Sequence, residues 1–129
     1  MTEAQRIVAM AQRFHAAVNP PWPWNGDDML ALVQSMIDRD DCFVAATGKG
    51  FILAVIQPNP MSTKYTIAKE FLWWSEDNSG ARLLRLFRGW AKRRGADEIQ
   101  YSCPAGNERV QRLYSRFAQP TETVYSEFP

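Results

Sequence analysis

Nowhere in the sequence do about 18 apolar residues run together, and no apolar core follows a basic stretch near Met1. Neither a membrane span nor a secretory leader is expected, and the chain reads as soluble and cytoplasmic. Cysteine is scarce: Cys42 and Cys103 both lie in β-rich segments, where a free thiol behaves as a small hydrophobe rather than half of a disulfide. Charge of one sign is not in excess, since the formal net charge is +1. That balance removes any global pull toward nucleic acid or an anionic membrane and leaves only local patches to consider. Histidine occurs once, as His15, with no partner at ligand spacing, so no metal site is expected. Repeats, low-complexity tracts and long linkers are missing too, which leaves one domain over residues 1–129, large enough to bury a core.

What is present is periodicity. From Thr2 to Val18, Ile7, Met10, Ala11, Phe14 and Val18 recur at helical spacing, and the proline-rich "NPPWPWNGDD" ends that helix. A second helix is expected from about Asp27 to Asp38, with Leu30, Val33 and Ile37 on one face. "CFVAAT" (Cys42 to Thr47) and "GFILAVIQ" (Gly50 to Gln57) read as an antiparallel hairpin closed by a Gly-Lys turn, and "PNPMST" as the end of its second strand. "YTIAKEFLWW", Tyr65 to Trp74, is expected as a central strand. A third helix carries Ala81, Leu84, Phe87, Trp90 and Ala91 and stops at Gly95; its other face holds Arg82, Arg85, Arg88, Lys92, Arg93 and Arg94. That basic face reads as solvated, or as a phosphate or partner contact. "DEIQYSC" is a fourth strand, Asn107 opens a fourth helix, and "TETVYSEF", Thr121 to Phe128, closes as a strand. The order ααβββαβαβ implies an α/β fold with a mixed sheet and helices on both faces, ligands binding beyond the strand carboxyl ends. There lies the polar loop "SEDNSG", glycine-poor, which is either an ordinary capped turn or a cradle of backbone N–H groups for an anion.

The pattern of "AKEFLWW", a polar loop ending in a small residue, "LLRLFRGWAKRRGADEIQYSC" and "NERVQRLYSRF" resembles the GNAT N-acetyltransferase superfamily, most of all its compact phage-encoded members. The resemblance covers Ala68 to Phe128 and, more loosely, "AQRFHAAVN" and "PWPWNGDDMLALVQSMI". It implies acetyl-CoA as co-substrate and an amine acceptor, with no metal. Leu72, Trp73 and Trp74 would meet the cofactor through strand backbone, and Asn78, Ser79, Gly80, Ala81 and Arg82 would hold its pyrophosphate. Against the family pattern R/Q-x-x-G-x-G/A the loop departs at Ser75 and Asn78, and it is shorter than usual. Glu70 falls where several members keep the carboxylate that deprotonates the amine; a structural pairing with Lys69 or an arginine is the other reading. Tyr114 matches the family's acid for the departing thiolate, or simply packs with Val110, Leu113 and Phe117. Asn107 matches a helix cap that lies beside pantetheine, and Phe117, Ala118 and Gln119 depart from the family's glycine and aromatic. His15, Trp22 and Trp24 line the acceptor pocket or merely cover helix and core.

The family's usual opening strand is expected to be missing here, leaving a sheet edge to be blunted or covered, so oligomerisation or a protein partner is expected. Two functions follow. One is acetyl transfer to an amine by direct attack; the other is a GNAT-like scaffold that has lost CoA and serves assembly, as in a phage particle.

Overall fold

The computed structural model describes residues 1–129. α1 (Glu3–Val18) starts where Thr2 and Gln5 close a reciprocal capping box and ends at Asn19, whose φ of 50° is left-handed. α2 (Gly26–Ile37) is capped by the Asn25 side chain, which accepts from the Asp28 N–H. Three antiparallel strands follow: β1 (Cys42–Ala46), β2 (Gly50–Asn59) and β3 (Ser62–Ser75). α3 (Gly80–Arg93) then crosses over to β4 (Glu98–Gln100), which pairs parallel to β3, and α4 (Glu108–Tyr114) comes last. The sheet order is β1-β2-β3-β4, a mixed sheet with no strand ahead of α1.

β2 explains why the core has two halves. Its Phe51 and Leu53 join Ile7, Met10, Val33 and Met36 under α1 and α2, whereas Ile52 and Ala54 join Leu83, Leu84 and Phe87 under α3. A strand covered on both faces is apolar at every position, which is why "GFILAV" lacks alternation. α3 ends as its sequence dictates: Gly95 takes φ 74°, and the Ala96 N–H reaches the Ala91 carbonyl at 3.0 Å. Gly50 permits the close seating of α3's first turn, because a Cβ there would lie 3.0 Å from the Trp74 carbonyl oxygen and 3.1 Å from the Leu83 side chain.

β3 carries a bulge. Leu53 faces Leu72 and Ala54 faces Glu70, so Phe71 is the extra residue. Ala68 and Trp73 therefore pack toward α3, while Phe71, Leu72 and Trp74 pack toward α1 and α2. Glu70, two residues from Ala68, also faces the α3 side, where it meets Tyr114 of α4.

Several sequence expectations need correction. The second and third strands run on through "PNPMST" as a longer hairpin, with β2 ending at Asn59 and β3 starting at Ser62. Pro58 is tolerated because β1 pairs with β2 only as far as Val55, so one edge of β2 is already free there. The fourth strand shortens from Asp97–Cys103 to Glu98–Gln100, since beyond Gln100 the chain turns its Ser102 N–H to the Glu70 carboxylate. Cys103 thus lies outside any strand, and both cysteines are free. Thr121–Phe128 forms no strand: Val124, Tyr125 and Phe128 are exposed, and a three-residue β4 offers little edge to pair with.

Candidate functional site

β3 and β4 are paired only where Ile67, Ala68 and Lys69 face Glu98, Ile99 and Gln100. From Glu70 onward β3 has no strand partner on that side, although the Ser102 hydroxyl still donates to the Glu70 carbonyl at 3.4 Å, and the two strands part. The gap between them opens into a cavity of about 880 Å³, walled by β3, the loop after it, the first turn of α3, the segment Ser102–Pro104, and α4. Phe14 and Val18 of α1 close another side.

Glu70 lies at the root of the gap and is 2 % exposed. Its Oε2 accepts from the Ser102 N–H at 3.0 Å, and the Tyr114 hydroxyl stands 3.5 Å away. Its Oε1 takes no hydrogen bond from the chain, yet no buried side-chain oxygen is left without a partner, so this oxygen opens toward solvent. Burial pushes the carboxyl up to about 7, against the restraining Ser102 N–H and Tyr114 hydroxyl. No lysine or arginine forms an ion pair with it, which leaves the structural pairing considered from the sequence without a partner.

Tyr114 does not line the cavity. Its hydroxyl donates to the Ser102 carbonyl at 3.0 Å, and its ring packs against Trp73, Tyr101 and Phe117. Burial raises the phenol far above its ordinary range, with the Glu70 charge adding to the effect, so it keeps its proton. Ser102, which serves both Glu70 and Tyr114 through its backbone, was not picked out by sequence reasoning; a serine just past a strand carries no signal of its own.

At the other end stands the loop. Ser79 is the N-cap of α3 by position but makes no side-chain cap bond; its hydroxyl meets Thr47 instead, at 2.9 Å. The N–H groups of Asn78, Gly80, Ala81 and Arg82 have no acceptor in the chain, the ordinary condition of an uncapped helix start. The Ser79 N–H is different, because Asp77 Oδ1 accepts it at 2.8 Å. Ser75 fixes that turn by donating to the Asp77 carbonyl at 2.7 Å, and Arg13 of α1 pins neighbouring Glu76 at 2.7 Å. Asp77's hydrogen bonds to Ser79 hold its carboxyl below the usual range. The motif Asp-x-Ser ahead of a helix was the available signal for this turn.

Trp73 donates its indole N–H to the Gly80 carbonyl at 3.1 Å, and a Cβ on Gly80 would come within 3.1 Å of both Trp73 and Ser75. Leu72, Trp73, Trp74, Asn78, Gly80 and Ala81 all line the cavity, as does Asn107, whose side chain also caps α4. Ser79 and Arg82 do not. His15 lies outside it, its Nε2–H donating to the Trp22 carbonyl at 2.8 Å and its ring meeting Trp22 edge-on and Trp24 at a tilt. No cluster of His, Cys, Asp or Glu gathers at ligand distance, and no helix is long and apolar enough to cross a membrane.

No protein-family model and no curated protein matches the chain. Solved structures do match it in fold. A ribosomal-protein-alanine N-acetyltransferase from Brucella melitensis biovar Abortus 2308 superposes with a TM-score of 0.73 at 13% identity, over 98% of this chain and 90% of that one. AAC(6')-Iy, in complex with the bisubstrate analogue CoA-S-monomethyl-acetylneamine, does so at 0.68 and 15%, over 100% and 95%. A transcriptional regulator from Bacillus halodurans C-125 gives 0.74 and 16%, over 99% and 96%. The fold is therefore the α/β fold of the GNAT acetyltransferases, as the sequence led one to expect. Function has to rest on the site.

Proposed function

We propose that this chain is an acyl-CoA-dependent N-acetyltransferase of the GNAT type. The observation that carries this reading is one cavity with a buried carboxyl near neutrality at its root and unsatisfied helix-start amides at its rim. Residues suited to a diphosphate support this reading: Asn78, Gly80 and Ala81 line the cavity with their N–H groups free, and the α3 macrodipole favours an anion there. The edge of β3 beyond Glu70, from Phe71 to Ser75, has no strand partner and is suited to the two amides of a pantetheine arm.

In the reaction, Glu70 accepts the proton of the attacking ammonium or amine through its free Oε1, directly or by one water. The amine nitrogen bonds to the thioester carbonyl carbon, the C–S bond breaks, and the electron pair leaves on sulfur. A thiolate with a conjugate acid near pKa 8.5 departs readily, so a dedicated acid is not essential. We therefore assign Tyr114, expected from the resemblance as that acid, to positioning: it holds Ser102 and Glu70 together. Tyr114→Phe should move the midpoint of the kcat/KM profile to higher pH, because the hydroxyl holds the Glu70 pKa down, while leaving acetyl-CoA affinity unchanged. A wild-type midpoint in the variant would return Tyr114 to mere packing.

Binding is tested by thermal shift. Acetyl-CoA at a hundred times its Kd should stabilise the fold by about 2.7 kcal/mol, rising with concentration. The second reading, a scaffold without CoA, is favoured by the Asp77 carboxylate, which already occupies the Ser79 amide and adds negative charge beside the rim. No shift at millimolar acetyl-CoA would establish that scaffold reading in place of the enzyme.

A further inference from the structure

The α4 wall of the cavity is lined by three arginines, Arg109, Arg112 and Arg116. Their spacing puts them on one face of the helix and its following turn, so three guanidinium groups share a small region. Such crowding of like charge is unfavourable unless something offsets it. The chain offers little: the one ion pair that any of them makes is Arg112 with Glu108, at 3.9 Å, with both side chains more than two-thirds exposed. An ion pair that loose is worth little and gives way easily. Arg13 and Arg39, in contrast, each hold a carboxylate at 2.7 Å. The arginines of α4 are thus uncommitted cations facing a cavity whose only acids, Glu70 and Asp77, belong to β3 and its loop.

We infer that Arg109, Arg112 and Arg116 bind a terminal phosphate monoester and, on the acyl-CoA reading of this cavity, on which the inference rests, that the group is the ribose 3′-phosphate of CoA. Each phosphorus of the diphosphate diester carries one charge on two terminal oxygens, an anion that the amides of the α3 start suit. A monoester carries nearly two charges on three terminal oxygens, and planar guanidinium forks match that geometry better than any other side chain. The site would therefore discriminate CoA from its dephospho form, a selectivity that no backbone cradle provides.

Titration calorimetry with the full chain tests this, using acetyl-CoA and acetyl-dephospho-CoA, which differ only in that phosphate. The wild type should bind the dephospho ligand about tenfold more weakly or worse, the scale of one charge-assisted contact, and the difference should shrink as salt is raised. Arg109→Ala/Arg116→Ala should weaken acetyl-CoA to the dephospho level and leave the dephospho affinity unchanged; both side chains are exposed, so the fold should tolerate the change. Equal binding of the two ligands by wild type, or a full preference for acetyl-CoA kept by the double variant, would overturn the inference and leave the acyl-CoA reading intact. Binding of neither ligand would overturn both.

Discussion

Glu70→Gln should cost about 10²–10⁴-fold in turnover with acetyl-CoA affinity nearly unchanged, the usual scale for losing a general base. In the wild type, kcat/KM should climb as pH rises through about 7, where the carboxyl gives up its proton. The same substitution should stabilise the fold at alkaline pH. The folded carboxyl titrates near 7 and the unfolded one near its ordinary 4.5. Between those values the native state holds the extra proton, so stability is full below the lower value and falls as pH rises through the upper one. For a group this buried the loss is roughly 3 kcal/mol. Asp41 and Asp77, both held below the ordinary carboxylate value, act at lower pH and leave this window clear. Urea unfolding of wild type and Glu70→Gln across the window should show that slope in the first and its loss in the second. Parallel curves together with unchanged turnover would remove Glu70 from the chemistry.

Phe87→Ala should be the most damaging single change to the scaffold. The side chain is fully buried and lies among Phe43, Trp90 and Tyr101, with the Tyr101 ring meeting it edge-on at 5.8 Å. Truncation leaves a cavity that packed neighbours cannot fill, at about 3–5 kcal/mol, against a total of about 5–15 kcal/mol for an ordinary domain. The melting temperature should fall by roughly 10–20 °C. Leu86, one residue away and 45 % exposed, is the control, with its alanine variant expected within about 1 kcal/mol of wild type. Similar melting of the two would mean that α3 is not seated on the sheet as described.

How much of this could be read from residues alone depends on how local the cause is. α1, α3 and the Gly95 cap were legible because periodicity and a glycine in left-handed conformation act over a few residues. Glu70 was singled out through the family resemblance, and its neighbours Ala68, Phe71 and Leu72 are apolar enough to desolvate it. The tail "TETVYSEF" has strand chemistry, but a strand needs an edge, and the length of β4 is set by where Ser102 turns away toward Glu70. The free amides at the α3 start and the Asp77 turn that takes one of them depend on which donors find acceptors, a matter of three-dimensional accounting. Arg109, Arg112 and Arg116 were visible as letters, yet only the parting of β3 and β4 gives them a common space to face.

The extra residue at Phe71 has a last consequence. It shifts the in-out phase of β3 midway, so the acid at one end and the indoles at the other obey different parity rules. An insertion or deletion between Lys69 and Trp74 would rotate one half of the strand against the other, carrying either the proton acceptor or the Trp73 tether of α3 to the wrong layer. The length of this segment is thus as constrained as its side chains.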